Sequence, residues 1–263
     1  MLGYRNRTAS GLSYSITGNA SHWIDKITAL PEDVRAAYPG DPNHSIIGHS
    51  QFSIFGYKEI GIFQDQQQVN AAPSQPGAGP GRLQYADLNG DGKVDVNDQT
   101  WLGTTLPTLE YGIRIELNFK NFDFSVFGSG VAGKTGFDPV KFMNSFIDTR
   151  NNYGPGVLNG WTVQKPTSTP ALSILNLNNE GRTSNFFYVN ASYFKIRSVQ
   201  LGYNLPSNMT KSIKLEGLRI YVAGDNVVAF KNKDFLSKDP ERANSFALWP
   251  VPTGFTVGIN ANF

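Results

Sequence analysis

The sequence predicts an all-β chain folded as the wall of an antiparallel transmembrane β-barrel, and three observations carry that prediction. Apolar and polar residues alternate with period two over stretch after stretch, whereas the helical period is scarce. Each such stretch is close to the ~10 residues that cross a bilayer when tilted. The connections alternate short and long, as expected where turns are minimal on one side of a membrane and extended on the other.

Residues 2 to 8 read as the tail of a first strand, and Leu12–Lys26 as the second. A very long connection, 27–110, leads to Tyr111–Lys120. There Tyr111, Ile113, Ile115, Leu117 and Phe119 share one face, and Gly112, Arg114, Glu116, Asn118 and Lys120 the other. Lys120–Asn121 make a very short turn into Phe122–Val131, followed by a second very long connection, 132–192. Strands then follow at Tyr193–Asn204 and Leu218–Phe230, with a moderate link between them and a long connection, 231–253, after them. The last strand puts Phe255, Val257, Ile259, Ala261 and Phe263 on one face and Thr256, Gly258, Asn260 and Asn262 on the other. Loops of such length would count against strands in a compact soluble domain but suit a barrel. The alternation predicts the long connections outside the cell and Phe263 at the periplasmic rim.

Composition narrows the function. The 263 residues carry 23 Lys+Arg against 21 Asp+Glu, without the concentrated positive face that a nucleic-acid partner requires. There is no cysteine, hence no disulfide, thiolate metal site or cysteine nucleophile. No run approaches the ~18 apolar residues of a membrane helix.

One segment carries metal chemistry. In DLNGDGKVDVND, Asp87, Asn89, Asp91, Lys93, Asp95 and Asp98 occupy positions 1, 3, 5, 7, 9 and 12 of a calcium loop, with Gly92 at the sharp turn. Asp87, Asn89, Asp91 and Asp98 offer side-chain oxygens, and Lys93 a backbone carbonyl. Val94 is placed to anchor the loop to a core. Asp98 is one methylene shorter than the usual glutamate. The alternative is an Asx-rich turn held by local hydrogen bonds. With no helix pair around it, a bound Ca2+ here is a structural clip rather than a switch.

Other motifs do not develop. GSGVAG (128 to 133) follows a strand but opens no helix, so its glycines read as the thinning end of that strand. GHSQF (48 to 52) lacks the second glycine of a nucleophile elbow. His22, His44 and His49 show no metal-ligand spacing, and Trp101, Trp161 and Trp249 read as loop-packing or interface aromatics. No catalytic constellation emerges, and the chain is not expected to be an enzyme.

Seven segments, taken in order, resemble the SusC/RagA family of TonB-dependent outer-membrane transporters of Bacteroidetes. They are GYKEIGIFQDQQQV (56 to 69), GRLQYADLNGDGKVDVNDQTWLG with YGIRIELNFKNFDFSVFGSGVAG, VLNGWT (157 to 162), YFKIRSVQLGYNLP (193 to 206), LRIYVAGDNVVAF (218 to 230), DPE (239 to 241) and PVPTGFTVGINANF (250 to 263). The resemblance implies the C-terminal portion of a large barrel, about seven strands of roughly 22, which is not transport-competent alone. It implies import of oligosaccharides or peptides, a SusD-like surface lipoprotein as lid, and coupling to the TonB complex through N-terminal parts. Thr256, Gly258, Ala261 and Phe263 resemble the signal read by the barrel-assembly machinery. The competing reading is a secreted, calcium-stabilised β-sandwich that binds glycans. A sandwich packs its apolar faces together, whereas a barrel turns them to lipid.

Overall fold

The computed structural model describes residues 1–31, 46–145, 155–172, 180–212, 214–245 and 251–263. Along the chain the strands are β1 (Leu2–Arg7), β2 (Ser13–His22), β3 (Ser53–Tyr57), β4 (Glu59–Ile62), β5 (Leu83–Tyr85), β6 (Gln99–Thr104), β7 (Leu109–Phe119), β8 (Phe122–Ala132), β9 (Thr135–Phe137), β10 (Tyr188–Asn190), β11 (Tyr193–Asn204), β12 (Gly217–Lys231) and β13 (Gly254–Asn262). Seven of them form one sheet in the order β1-β2-β7-β8-β11-β12-β13, every pair antiparallel. These are the strands that the alternation predicts. The second differs in extent: it ends at His22, and Trp23 to Pro31 leave the sheet.

Register carries the alternation across the whole sheet. Tyr4, Ile16, Ile115, Val126, Val199, Gly224 and Phe255 are successive cross-strand partners, one per strand. The row two residues along runs through Tyr14, Leu117, Phe124, Leu201, Val222 and Val257. Directly paired residues point to the same side, so one face is apolar from edge to edge. The intervening row, Ser15, Glu116, Ser125, Gln200, Ala223 and Thr256, lies on the polar face. No second sheet covers the apolar face among the described residues: Phe255 is 79% and Val257 76% exposed. This is the arrangement of a barrel wall, and the sheet is open.

The glycines of GSGVAG lie in β8, as the strand reading requires. Gly130 pairs with Tyr111 on one side and Phe194 on the other, and those rings stack at 5.8 Å across it. A Cβ on Gly130 would collide with the Tyr193 carbonyl oxygen. Against β8, Arg197 is the extra residue of a bulge in β11 between Ile196 and Ser198.

Because neighbouring strands run antiparallel, the connections 23–108, 133–192 and 232–253 all emerge at one end of the sheet. The opposite end has the turn at Thr8–Leu12, the two-residue turn Lys120–Asn121, and the link 205–216 with its short helix Ser207–Ser212.

Candidate functional site

The buried core lies in the long connections, not in the wall. Ile62, Leu83, Tyr85 and Val94 from the first connection cluster with Trp161, Ala171 and Phe187 from the second. Two antiparallel pairs, β3 with β6 and β4 with β5, frame the first connection, and β9 pairs with β10 in the second. The two are joined directly. Tyr57 N donates to the Thr183 carbonyl at 2.9 Å, and Trp161 Nε1 to Gln64 Oε1 at 2.9 Å. Gly81, at φ +79°, lies against the Trp161 ring and the Ala171 methyl, where any side chain would collide. Gly81, the last residue of the glycine–proline stretch PSQPGAGPG (73 to 81) before the calcium-type loop, therefore serves close packing. Burial pushes the Tyr85 hydroxyl well above the ordinary tyrosine range, with Arg182 stacked 4.6 Å from its ring.

The loop 87–98 is bound to this core. Val94 is 3% exposed within the cluster, and its N–H donates to the Ser74 carbonyl at 2.8 Å. Asp87 accepts from Gly90 N at 2.6 Å and Gly92 N at 2.9 Å; Asn89 accepts from Asp91 N at 2.9 Å; Asp91 accepts from Lys93 N at 3.1 Å. Asp98 is fully buried and closes the loop end to end, accepting from Leu88 N at 2.8 Å and Asp95 N at 2.7 Å. Gly90 and Gly92 have φ of +75° and +84°, which the turns demand. The Lys93 ammonium stands 2.8 Å from Asp95 and 3.6 Å from Asp91. Its hydrogen bond to Asp95 raises the Lys93 pKa and lowers that of Asp95. Among the described residues, no three His, Cys, Asp or Glu side chains converge on a point that could hold a metal ion. The geometry is thus that of a hydrogen-bonded Asx network. It carries oxygen donors of the right kind and order, and a cation, Lys93, among them.

A second polar cluster lies on the wall. Tyr193 and Lys195 of β11, with the bulged Arg197, meet Asp239 and Glu241 from the 232–253 connection. Lys195 Nζ lies 2.5 Å from Asp239 Oδ1 and 2.7 Å from Glu241 Oε2. Arg197 forks onto both Glu241 oxygens, at 3.0 Å through Nη1 and through a second bond from Nη2, while Tyr193 OH donates to Glu241 Oε1 at 2.8 Å. Hydrogen bonds from Arg197, Lys195 and Tyr193 outweigh burial and pull the Glu241 carboxyl down to about 2. Alternation alone did not reveal this cluster. Its sequence signals were DPE and YFKIR, two separate segments that nothing joined until the fold was known.

Between the sheet rim and β6 lies a cavity of about 620 Å3, whose walls include Trp23, Asp25, Trp101, Lys134, Tyr188 and Asn190. Trp101 stacks on His49 at 5.0 Å, and Asp25 accepts from Ser50 Oγ at 2.9 Å.

Of the remaining residues singled out by sequence, Thr256 and Gly258 lie on the polar face of β13, and Ala261 lies opposite Leu218 on the apolar face. Phe263 follows the strand, 89% exposed. His22 Nδ1 bonds the Thr108 carbonyl at the rim, 2.7 Å away. His44 and Trp249 lie outside the described residues.

No protein-family profile matches the sequence. TonB-dependent receptor P26 of Formosa agariphila is 27% identical over 235 residues, covering 83% of this chain and 23% of the receptor. TonB-dependent receptor SusC of Bacteroides thetaiotaomicron is 24% identical, over 96% of this chain and 24% of SusC. The chain thus spans about a quarter of the length of these curated relatives. Among solved structures, the RagAB peptide transporter superposes with a TM-score of 0.75 at 16% identity, over 99% of this chain and 28% of that one. The RagAB peptide importer in its open-open state gives 0.70, also at 16% identity.

Proposed function

Starting from a chain that is related to the TonB-dependent receptors of the SusC/RagA type, we propose that it forms one section of the wall and outer loops of an outer-membrane nutrient importer. The observation that carries this reading is the apolar row crossing all seven strands with nothing packed on it. A patch of that extent is stable against lipid and a liability in water. The charged opposite face then lines the lumen. The long connections lie outside the cell, under a SusD-like lipoprotein lid, and the C-terminus faces the periplasm, where the last strand meets the barrel-assembly machinery. Energy reaches the barrel from the TonB complex through parts beyond this chain. The substrate is an oligosaccharide or peptide, and the aromatic-walled cavity at the rim is the region of this chain placed to touch it. The relatives are receptors, not enzymes.

Fractionation tests the reading. Membrane and soluble fractions of the source cells are resolved by size and searched for peptides of this chain. The expected result is an outer-membrane band heavier than 28.9 kDa. A soluble band near that mass would support the secreted sandwich instead.

We further propose that the 87–98 loop binds Ca2+ as a structural clip. Supporting it are the donor order, the two glycine turns, and a second lone pair left on each carboxylate oxygen that accepts a single N–H. Binding draws Asp87, Asn89, Asp91 and Asp98 together and displaces the Lys93 ammonium. Chelator is expected to expose residues 82–105 to protease, and Asp87→Ala with Asp91→Ala to abolish that calcium dependence. Identical cleavage of the parent with and without chelator would refute the clip.

A further inference from the structure

The connection after β12 does not stand away from the wall; it folds back and is fastened at successive points, to the polar face of the wall and to the 133–192 connection. At its start, Lys231 Nζ donates to the Phe235 carbonyl at 2.7 Å and also to that of Ser237. Phe235 is 1% exposed. Asp138, fully buried, then takes three donors from the same stretch: Leu236 N, Ser237 N and, at 2.5 Å, Ser237 Oγ. Next come Asp239 and Glu241 on Lys195, Arg197 and Tyr193. Finally Asn244 exchanges two hydrogen bonds with Phe137, at 2.7 Å and 3.0 Å. The Ala243 methyl fills the space over Gly136, where a side chain would not fit.

Lys195 decides what this means. It is 5% exposed although it projects from a strand facing the polar side. A buried ammonium is tolerated only when its countercharges are fixed beside it. Both countercharges come from the returning segment, so lifting it would leave the buried Lys195 without its partners. The bulge at Arg197 adds a second cation on the same carboxylate and turns one salt bridge into a fork.

We propose that residues 232–245 form a fixed strap across the outer mouth of the barrel, clasped to the lumenal wall by Asp239 and Glu241 through Lys195 and Arg197, and that this strap narrows the opening. The lumenal placement rests on the importer reading above; the clasp does not.

Trypsin tests the clasp, because the strap carries its own cleavage sites at Lys233 and Lys238, both exposed. Cleavage after Lys238 requires the strap to lift. In membranes of cells carrying the chain, Glu241→Gln is expected to speed that cleavage at least tenfold, with no change after the exposed Lys58. Equal rates in parent and variant would overturn the clasp. Should the variant fail to accumulate, Asn244→Ala loosens the strap from its far end without touching an ion pair and must also speed cleavage. The same cells are then exposed to an impermeant dye. Faster entry in Glu241→Gln supports the narrowing role, and unchanged entry with faster cleavage overturns that role alone. Recovery of the chain only in the soluble fraction would remove the importer reading while leaving the cleavage result to judge the clasp.

Discussion

The wall and the body formed by the two very long connections use the same residue types in opposite ways. In the connections, Leu83, Phe187 and Tyr85 are at most 2% exposed and belong to one cluster, as in any water-soluble core. In the wall, Phe255, Val257 and Ile259 are 66–79% exposed, and the same face carries Ile113, Leu201 and Val222 at 40–49%. The wall sheet has hydrogen bonds in place of a core; the connections have a core and only short ladders. On the importer reading proposed above, each region is stable in a different solvent: hydrophobic burial holds the connections outside the membrane, whereas in lipid the satisfied backbone of the wall matters most.

Substitutions that respect this division sharpen it. The largest effect is expected at Phe187→Ala, which opens a cavity in the connection core and costs about 3–5 kcal/mol. Protease should then cut residues 46–108 and 155–192 freely while the chain still reaches the membrane. Ile115→Lys, in the middle of the apolar row, should cost about 2–4 kcal/mol near the bilayer midplane, seen as loss of membrane accumulation with the connections still protease-resistant. Its neighbour Glu116→Lys, on the polar face, should accumulate normally. Equal damage from both lysines would mean that the wall does not face lipid on one side only. Gly130→Ala comes next, at about 1–3 kcal/mol, since the added methyl meets the Tyr193 carbonyl and wedges β8 from β11. Lower resistance of the membrane-bound chain to thermal unfolding would register it.

The wall was legible in the sequence because a two-residue period at half-buried positions is a local signal. Even the stops are local: Lys120, in the tight turn, has φ +53° and sits between two runs of alternation. The connection core was not legible, because its members are scattered. Ile62, Val94, Trp161 and Phe187 come from four distant places, none with periodicity around it. The family resemblance did mark GYKEIGIFQ and VLNGWT, and the structure supplies the physical reason. Gly56 lies against the Thr183 carbonyl, Ile62 and Phe63 are buried, and Trp161 roofs Gly81. For the loop 87–98 the sequence left two readings open, cation site or Asx turn. The geometry realises the hydrogen bonds of the second while retaining the donors of the first.

The smallest effect concerns pH, and it separates the clasp from the core. Glu241 has a folded-state pKa of about 2, below the usual value near 4.3 for glutamate. A carboxylate lowered in this way contributes stability that is fully present above its unfolded pKa and is lost as pH falls through the folded one. The groups facing it are Lys195, Arg197, Tyr193 and Asp239, with Lys134 farther off contributing attraction; burial lowers the Lys134 pKa. The hydrogen bond to Glu241 raises the Arg197 pKa further, so that cation adds no second switch in the acid range. Cleavage after Lys238 should therefore be flat between pH 5 and 8 and rise only below about pH 4, as Glu241 begins to gain a proton. A protease active in acid, cutting after Phe235 or Leu236, extends the measurement below the range of trypsin. Glu241→Gln should remove the rise and leave fast cleavage at every pH. The carboxylate beside the core around Phe187, Glu180, is held by Arg82 at 3.2 Å and not by the strap, so protection of that core should not follow Glu241→Gln. A parallel rise in both regions would mean that acid unfolds the outer body as a whole and that the clasp is not a separate element of it.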